Sequence, residues 1–235
     1  LDGFIITGGN ADGFGEDENG AGIYIIAGKL TIMNCAIMDN QAFFRGGGVY
    51  ASSAFPGFVN CLFARNAALE GAALYNTRAS GIDLYQSTIA YNAASGYGAV
   101  AGDFGGTVLF SSNSIFWGNT DFSESLEDAQ ITGMGEVNID YSTVEGWSGQ
   151  CGGTENSGDD PLFADVDGAD NVAGTLDDNF RLTDISPAID TGPLDPVFPM
   201  PADLDAHSRI LCGRIDRGAY EFGIGDYDCN QVVSL

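Results

Sequence analysis

The chain has 235 residues, and its 33 Asp and Glu against 8 Lys and Arg give a formal net charge of −25. Residues 1–120 hold 9 acids and 4 bases, for −5; residues 121–235 hold 24 acids and 4 bases, for −20. Such a balance excludes a nucleic-acid binder, which needs a basic face for phosphates, and argues against adsorption to an anionic membrane.

The remaining composition describes a folded chain. Hydrophobic residues make up 44%, and 15 Phe, 9 Tyr and 2 Trp exceed what acidic disordered tails carry. Gly stands at 34 residues, about twice the usual ~7%, which favours turn-rich β structure or a solenoid. No apolar run reaches the ~18 residues of a membrane span. The chain starts at Leu1 without a Met or a leader pattern and reads as a fragment or mature segment.

The first half is a repeat. An apolar residue, two variable residues and an Asn recur as Ile37…Asn40, Phe63…Asn66, Ile89…Asn92 and Phe116…Asn119, with Asn spacings of 26, 26 and 27. A second column runs through Ile23-Tyr24, Val49-Tyr50, Leu74-Tyr75 and Val100-Ala101. Asn34-Cys35 and Asn60-Cys61 form a third, continued by Gln86-Ser87 and Asn113-Ser114. Within units the apolar residues alternate, as in Leu30, Ile32 and Ile82, Leu84, which is strand periodicity. Strand periodicity, Gly clusters and a period of about 26 predict the rungs of a parallel β-helix, an all-β solenoid.

The column of Asn40, Asn66, Asn92 and Asn119 is read as a structural ladder. Asn tolerates left-handed corners, and its amide can donate to one rung and accept from another. The Tyr column is read as core packing. LDGFIITGGNADG looks like a further rung, lengthened by the acidic loop at 13–20. An open first rung is a sticky edge, so rungs upstream or another covering element are expected there.

The second half changes character. VNIDYSTVEGW, Val137 to Trp147, is the last rung-like segment, which places the rungs over 1–147 and an acidic, loop-rich cap over 148–223. FRLTDISPAIDTG, ADLDAHSRI and IDRGAYEF read as short strands folding against the C-terminal rung. Asp165, Asp167, Asp170 and Asp177 lie in a Gly-rich loop and are candidate ligands for a structural calcium ion, since hard cations take clustered oxygens. Asp190, Asp203, Asp205 and Asp216 are interleaved with Arg209, Arg214 and Arg217, for which carboxylate–guanidinium pairs are expected. The single His, His207, reads as a surface or capping residue. Cys151 and Cys212 are candidates for a disulfide stapling the cap, and Cys35 and Cys61 for a small-residue ladder or a strained bridge.

YSTVEGW…DDPLFADVDG…SPAIDTG…DLDAHSR…DRGAYEF, over residues 141–222, resembles the C-terminal part of a bacterial surface-protein family. In that family a right-handed parallel β-helix of the pectin-lyase type ends in a "choice-of-anchor" region. The family pattern is SPAIDxG, DxDGxxR and DIGAYE; Ala206 and Arg217 depart from it here. The last residues, 224–235, resemble the opening of a dockerin-like calcium loop. Asp226, Asp228 and Asn230 match its first three ligand positions, and the loop is cut short before its last ligand.

The resemblance implies an exported, monomeric protein, secreted or on the cell surface. The leading expectation is a non-catalytic extracellular scaffold, adhesive or carbohydrate-binding, stabilised by calcium, with a polysaccharide or surface partner. The alternative is a polysaccharide lyase or glycoside hydrolase with its active rungs upstream. The rungs hold few acids, namely Asp39, Glu70, Asp83 and Asp103, and lack the paired Asp-Asp and Gly-His-Gly patterns of pectin hydrolases. A third expectation is an anchoring module that captures a surface partner.

Overall fold

The computed structural model describes residues 1–103, 106–172, 175, 177–210 and 213–223. Asp226, Asp228, Asn230 and Cys212 lie outside the described residues. The chain is a parallel β-solenoid of about 5 turns whose rungs repeat about every 26 residues. No helix among the described residues is long and apolar enough to cross a membrane.

Three parallel sheets form the walls. A broad sheet begins with Ile23–Met33 beside Val49–Val59. From the next rung its strands are split, into Leu74–Thr77 and Gly81–Tyr85, Val100–Gly102 and Val108–Ser112, then Ile131–Thr132 and Glu136–Asp140. A narrow sheet stacks Ile5–Thr7, Ala36–Met38, Leu62–Ala64, Thr88–Ala90, Ile115–Trp117 and Thr143–Val144. A corner sheet stacks Asn10–Ala11, Gln41–Ala42, Ala67–Glu70 and Ala93–Tyr97. Register partners stack inside as Ile37, Phe63, Ile89, Phe116 and Val144, all fully buried.

Asn40, Asn66, Asn92 and Asn119 meet at the turn after the narrow sheet, each no more than 2% exposed. The Nδ2 of each donates to the Oδ1 of the next, at 3.0, 3.0 and 2.9 Å. The same Oδ1 atoms also accept the backbone N–H of the preceding Asn, at 3.2, 2.9 and 2.8 Å. Carbonyls of neighbouring rungs take further Nδ2 protons, such as Ile37 O from Asn66 and Phe63 O from Asn92. Gln130, at the end of the short helix Leu126–Gln130, closes the column by accepting from Asn119 at 2.6 Å. The left-handed backbone falls one residue earlier than the sequence suggested. Asp39, Arg65, Tyr91 and Gly118 take φ of 56°, 56°, 54° and 67°, and this turn throws the following Asn inward.

The third sequence column is a second corner. Asn34, Asn60, Gln86 and Asn113 themselves have positive φ, between 51° and 58°. Cys35 and Cys61 beside them are free, buried thiols in a column continued by Ser87, Ser114 and Ser142. The Cys61 N–H donates to Ser87 Oγ and the Ser87 N–H to Ser114 Oγ, so the column works by small hydrogen-bonding side chains and not by a bridge. Burial pushes the Cys61 thiol up to about 12, which keeps it protonated.

The C-terminal half does not close the last rung in the way expected. Residues 145–158 do that work, with Trp147 and Cys151 packed on the core and Ser157 bridged to Thr143. From residue 159 the chain runs back along the outside of the narrow sheet. Phe163–Asp165 and Asn179–Leu182 pair antiparallel there. Phe180, Ala219 and Tyr220 pack on Met38, Leu62, Ala64 and Ala90, while Leu182 and Ala188 pack on Ile115. The reason is written in the strands. Ala36-Ile37-Met38, Leu62-Phe63-Ala64 and Ile115-Phe116-Trp117 are apolar at every position, the pattern of strands covered on both faces.

Replacing Asn92 by Ala takes the acceptor from the buried Asn66 N–H, one of the two acceptors from the Asn66 Nδ2, and the Nδ2 donor from the Phe63 carbonyl. Unpartnered buried polar groups cost about 1–3 kcal/mol each. Urea unfolding of Asn92→Ala is expected to show a loss of about 3 kcal/mol, with Asn10→Ala on the exposed surface near wild type.

Candidate functional site

The predicted residues separate into those that hold the fold and those on the surface. The four-Asn column is interior and offers nothing to a ligand. Asp165, Asp167, Asp170 and Asp177 come together in one exposed loop. Asp177 accepts from the Asp170 N–H at 3.2 Å and from the Thr175 hydroxyl at 2.5 Å, and Asp170 accepts from the Val172 N–H at 2.8 Å. Asp165 sits above the ordinary carboxylate value, through desolvation in the folded loop and then Asp167 beside it. These are hard oxygen donors. Among the described residues, however, no three of them gather within 4.8 Å of one another, because two are turned onto the loop's own donors. Arg65 fixes the loop to the solenoid through Asp178 and the Val166 carbonyl. Cys151 is buried against the last rung, and its pairing with Cys212 falls outside the described residues.

Within the described residues, Asp203, Asp205 and His207 do bring ligand atoms within 4.8 Å. Their carboxylates are already engaged. Asp203 accepts the N–H groups of Asp205, His207 and Glu221 at 2.9, 2.7 and 2.8 Å, and Asp205 receives both prongs of Arg181 at 2.5 Å. A groove of about 620 Å³ separates this loop from Phe4 and Ile5 of the first rung. Of its charged lining, Arg181 and Asp205 are taken up by that fork, Asp2 accepts from Asn34 and Asp178 from Arg65.

The expected Arg–carboxylate pairs are rearranged. Arg209 pairs with Glu221 at 3.0 Å, not with an Asp, and also donates to Asn60 Oδ1 at the second corner. Arg217 meets no carboxylate among the described residues; it donates to Ser142 O and Glu155 O, tying the flank to the end cover, because its side chain points at the last rung. Asp216 accepts the Asp190 and Phe222 N–H groups at 2.8 and 2.6 Å. Gly192 and Gly218 press on the corner: a Cβ would lie 2.2 Å from Asn113 Oδ1 and 2.7 Å from Thr88 Oγ1 respectively. Ala206 takes a φ of 66°, where the resembling pattern has Gly. The C-terminal motifs therefore spell a buried clasp between flank and solenoid.

The outer face of the broad sheet is the widest sheet surface that the flank does not cover. Its outward residues form rows across the rungs: Lys29, Phe55, Gly81, Val108 and Glu136; then Thr31, Gly57, Asp83, Phe110 and Asn138. Phe55 and Phe110 are 51% and 41% exposed, although each is held in a strand. The Phe55 ring lies against Gly81, where a Cβ would come within 3.1 Å of it. Asp83, opposite Gly57 on one side and Phe110 on the other, is half-buried and is raised by desolvation, with Lys29 pulling it back. Residues 193–200 stand beside this shelf as a wall, fixed by Gln86 Nε2 donating to Phe198 O at 2.7 Å and by Tyr85 packing on Phe198 at 5.2 Å. A recess of about 250 Å³ lies between wall and shelf, lined by Phe110, Asn138, Asp140, Pro193 and Asp195. Sequence inspection missed the shelf. Phe55, Asp83 and Phe110 lie 28 and 27 residues apart, and only the register makes them neighbours.

No protein-family profile, curated protein sequence or solved structure matches the chain. The fold stands on its own strand register, and function has to be argued from local chemistry.

The clasp has a pH signature. Asp216 is pushed up to about 6 and Glu221 to about 9, first by burial and, for Glu221, next by Asp216; Arg209 draws both down. The folded state thus holds protons that the unfolded chain releases near 4. Stability is full below that value and falls as pH rises through about 6 and about 9. Thermal melts are expected to show a lower midpoint at pH 9 than at pH 5, and Glu221→Gln is expected to flatten the decline above pH 6. An unchanged slope in that variant would contradict the assignment.

Proposed function

We propose that this chain is a non-catalytic, extracellular scaffold that binds carbohydrate along the outer face of its broad sheet. The carrying observation is the pair of strand-held aromatic rings, Phe55 and Phe110, exposed on a rigid sheet with a walled recess beside them. Aromatic faces combine apolar area with fixed geometry, which suits the apolar face of a sugar ring. The wall contributes Asp195 and the shelf contributes Asn138, polar groups able to orient hydroxyls. The resemblance to anchored surface proteins with a pectin-lyase-like solenoid and a dockerin-like tail supports an exported, surface-attached setting.

At Asp83, in the middle of the shelf, the chemistry favours binding over turnover. A glycosidase places two carboxyl groups about 5–9 Å apart across one bond. Asp83 has Gly57 and Phe110 as register partners, and Asp140 lies two rungs further on, about 10 Å along the axis at the usual strand spacing.

Phe55→Ala and Phe110→Ala are each expected to weaken binding of the retained glycan about tenfold, with little change in melting temperature. Glycan-array screening followed by calorimetry measures this. Steady release of reducing ends or unsaturated uronides by the chain would overturn the non-catalytic reading. Undiminished binding by both variants would overturn the location.

A further inference from the structure

We infer that the glycan held on this shelf is cationic: an amino-sugar polysaccharide of the β-linked glucosamine type, and not a polyuronate. This rests on the carbohydrate-binding reading above and specifies its ligand.

The first argument is spacing. Phe55 and Phe110 lie two rungs apart in neighbouring outward rows, so the rings stand about 10 Å apart along the axis and about 7 Å across it. In an extended β-linked chain, alternate sugars present the same face. A chain laid diagonally from one platform to the other can rest alternate rings on them, and the sugar between them crosses the intervening rung. That rung presents Asp83.

The second argument is charge. Asp83 occupies the middle of the shelf, Glu136 and Asp140 its far end, and Asp195 the wall. Lys29, beside Phe55, is the basic side chain among these outward rows. The Asp83 carboxylate has no hydrogen-bond partner among the described residues, and Lys29 is the cation that acts on it. A uronate chain would set a carboxylate against Asp83 and bring further like charges to a molecule that already carries −25. A protonated amino sugar supplies the missing partner at the same place. Strong charge-assisted hydrogen bonds form between ammonium donors and carboxylate acceptors. The acids of the Asp165–Asp178 region do not serve this role, because they project from the flank over the narrow sheet, where Arg65 binds Asp178.

The experiment is isothermal titration of the full chain with three soluble probes of equal length: glucosamine oligomers, their N-acetylated forms and oligogalacturonate. Mildly acidic pH keeps the amines charged. Glucosamine oligomers are expected to bind at least tenfold more tightly than oligogalacturonate. Asp83→Asn is expected to reduce that preference about tenfold while leaving the N-acetylated probe unchanged, a difference that misfolding would not produce. Oligogalacturonate binding as tightly as the glucosamine oligomers overturns this inference and leaves carbohydrate binding standing. No binding by any probe overturns both. Glucosamine binding that Phe55→Ala and Phe110→Ala leave untouched is adsorption of a polycation to an acidic surface, and it also overturns the inference.

Discussion

The structure depends on an amide column inside a corner. Each of Asn40, Asn66 and Asn92 donates to the next rung's Asn, and each next Asn returns an oxygen that takes both that side chain and its backbone N–H. The groups are interior, so every one of them needs its partner. A shift of one residue in any rung would leave amides unpaired through the stack and would turn alternate side chains from core to surface. One short polar side chain per rung thereby enforces the register that places Ile37, Phe63, Ile89 and Phe116 over one another. The same register gives the broad sheet an ordered outer grid of side chains.

The second corner carries a different load. Asn34, Asn60, Gln86 and Asn113 face outward enough to receive the returning flank. Asn60 meets Arg209, Gln86 meets the Phe198 carbonyl, and Asn113 donates to the Asp216 carbonyl at 2.7 Å. Hydrophobic burial covers the narrow sheet, and this polar row fixes where the cover lies. Covering one face and closing one end leave the broad sheet as an ordered open surface, wider than the corner sheet beside it. Its aromatic rings are held by strands on a rigid base, so little conformational freedom is lost when a ligand settles on them.

Much of the architecture was legible in the sequence. The Asn spacing and the alternation in Ile82, Leu84 specify strands and period without any structure. The apolar triplets of the narrow sheet also carried a message, a sheet covered on both sides, that the repeat alone did not bring out. The course of the last third was not legible, because its order follows from contacts more than 100 residues away in sequence, such as Arg209 with Gln86 and Gly218 with Asn113. Partner choice among charges was hidden for the same reason. Arg209 turns to Glu221 because both are carried into the corner, while nearby Asp216 and Asp203 are taken up by backbone donors. The shelf required the exact pairing of three strands before Phe55, Asp83 and Phe110 became one surface.

The charge of −25 now divides by location. Nearly half of it, −12, falls after residue 158, where Arg65 and Arg181 tie part of it down. A smaller share lies on the broad sheet and its wall, where the proposed glycan would meet it. The most direct measurement of that account is NMR of the chain with selectively labelled Phe rings during a titration with glucosamine oligomers. The account predicts that the Phe55 and Phe110 signals move together and saturate, while those of Phe14 and Phe122, exposed elsewhere, stay in place. Movement of Phe14 or Phe122 with Phe55 and Phe110 unmoved would contradict it.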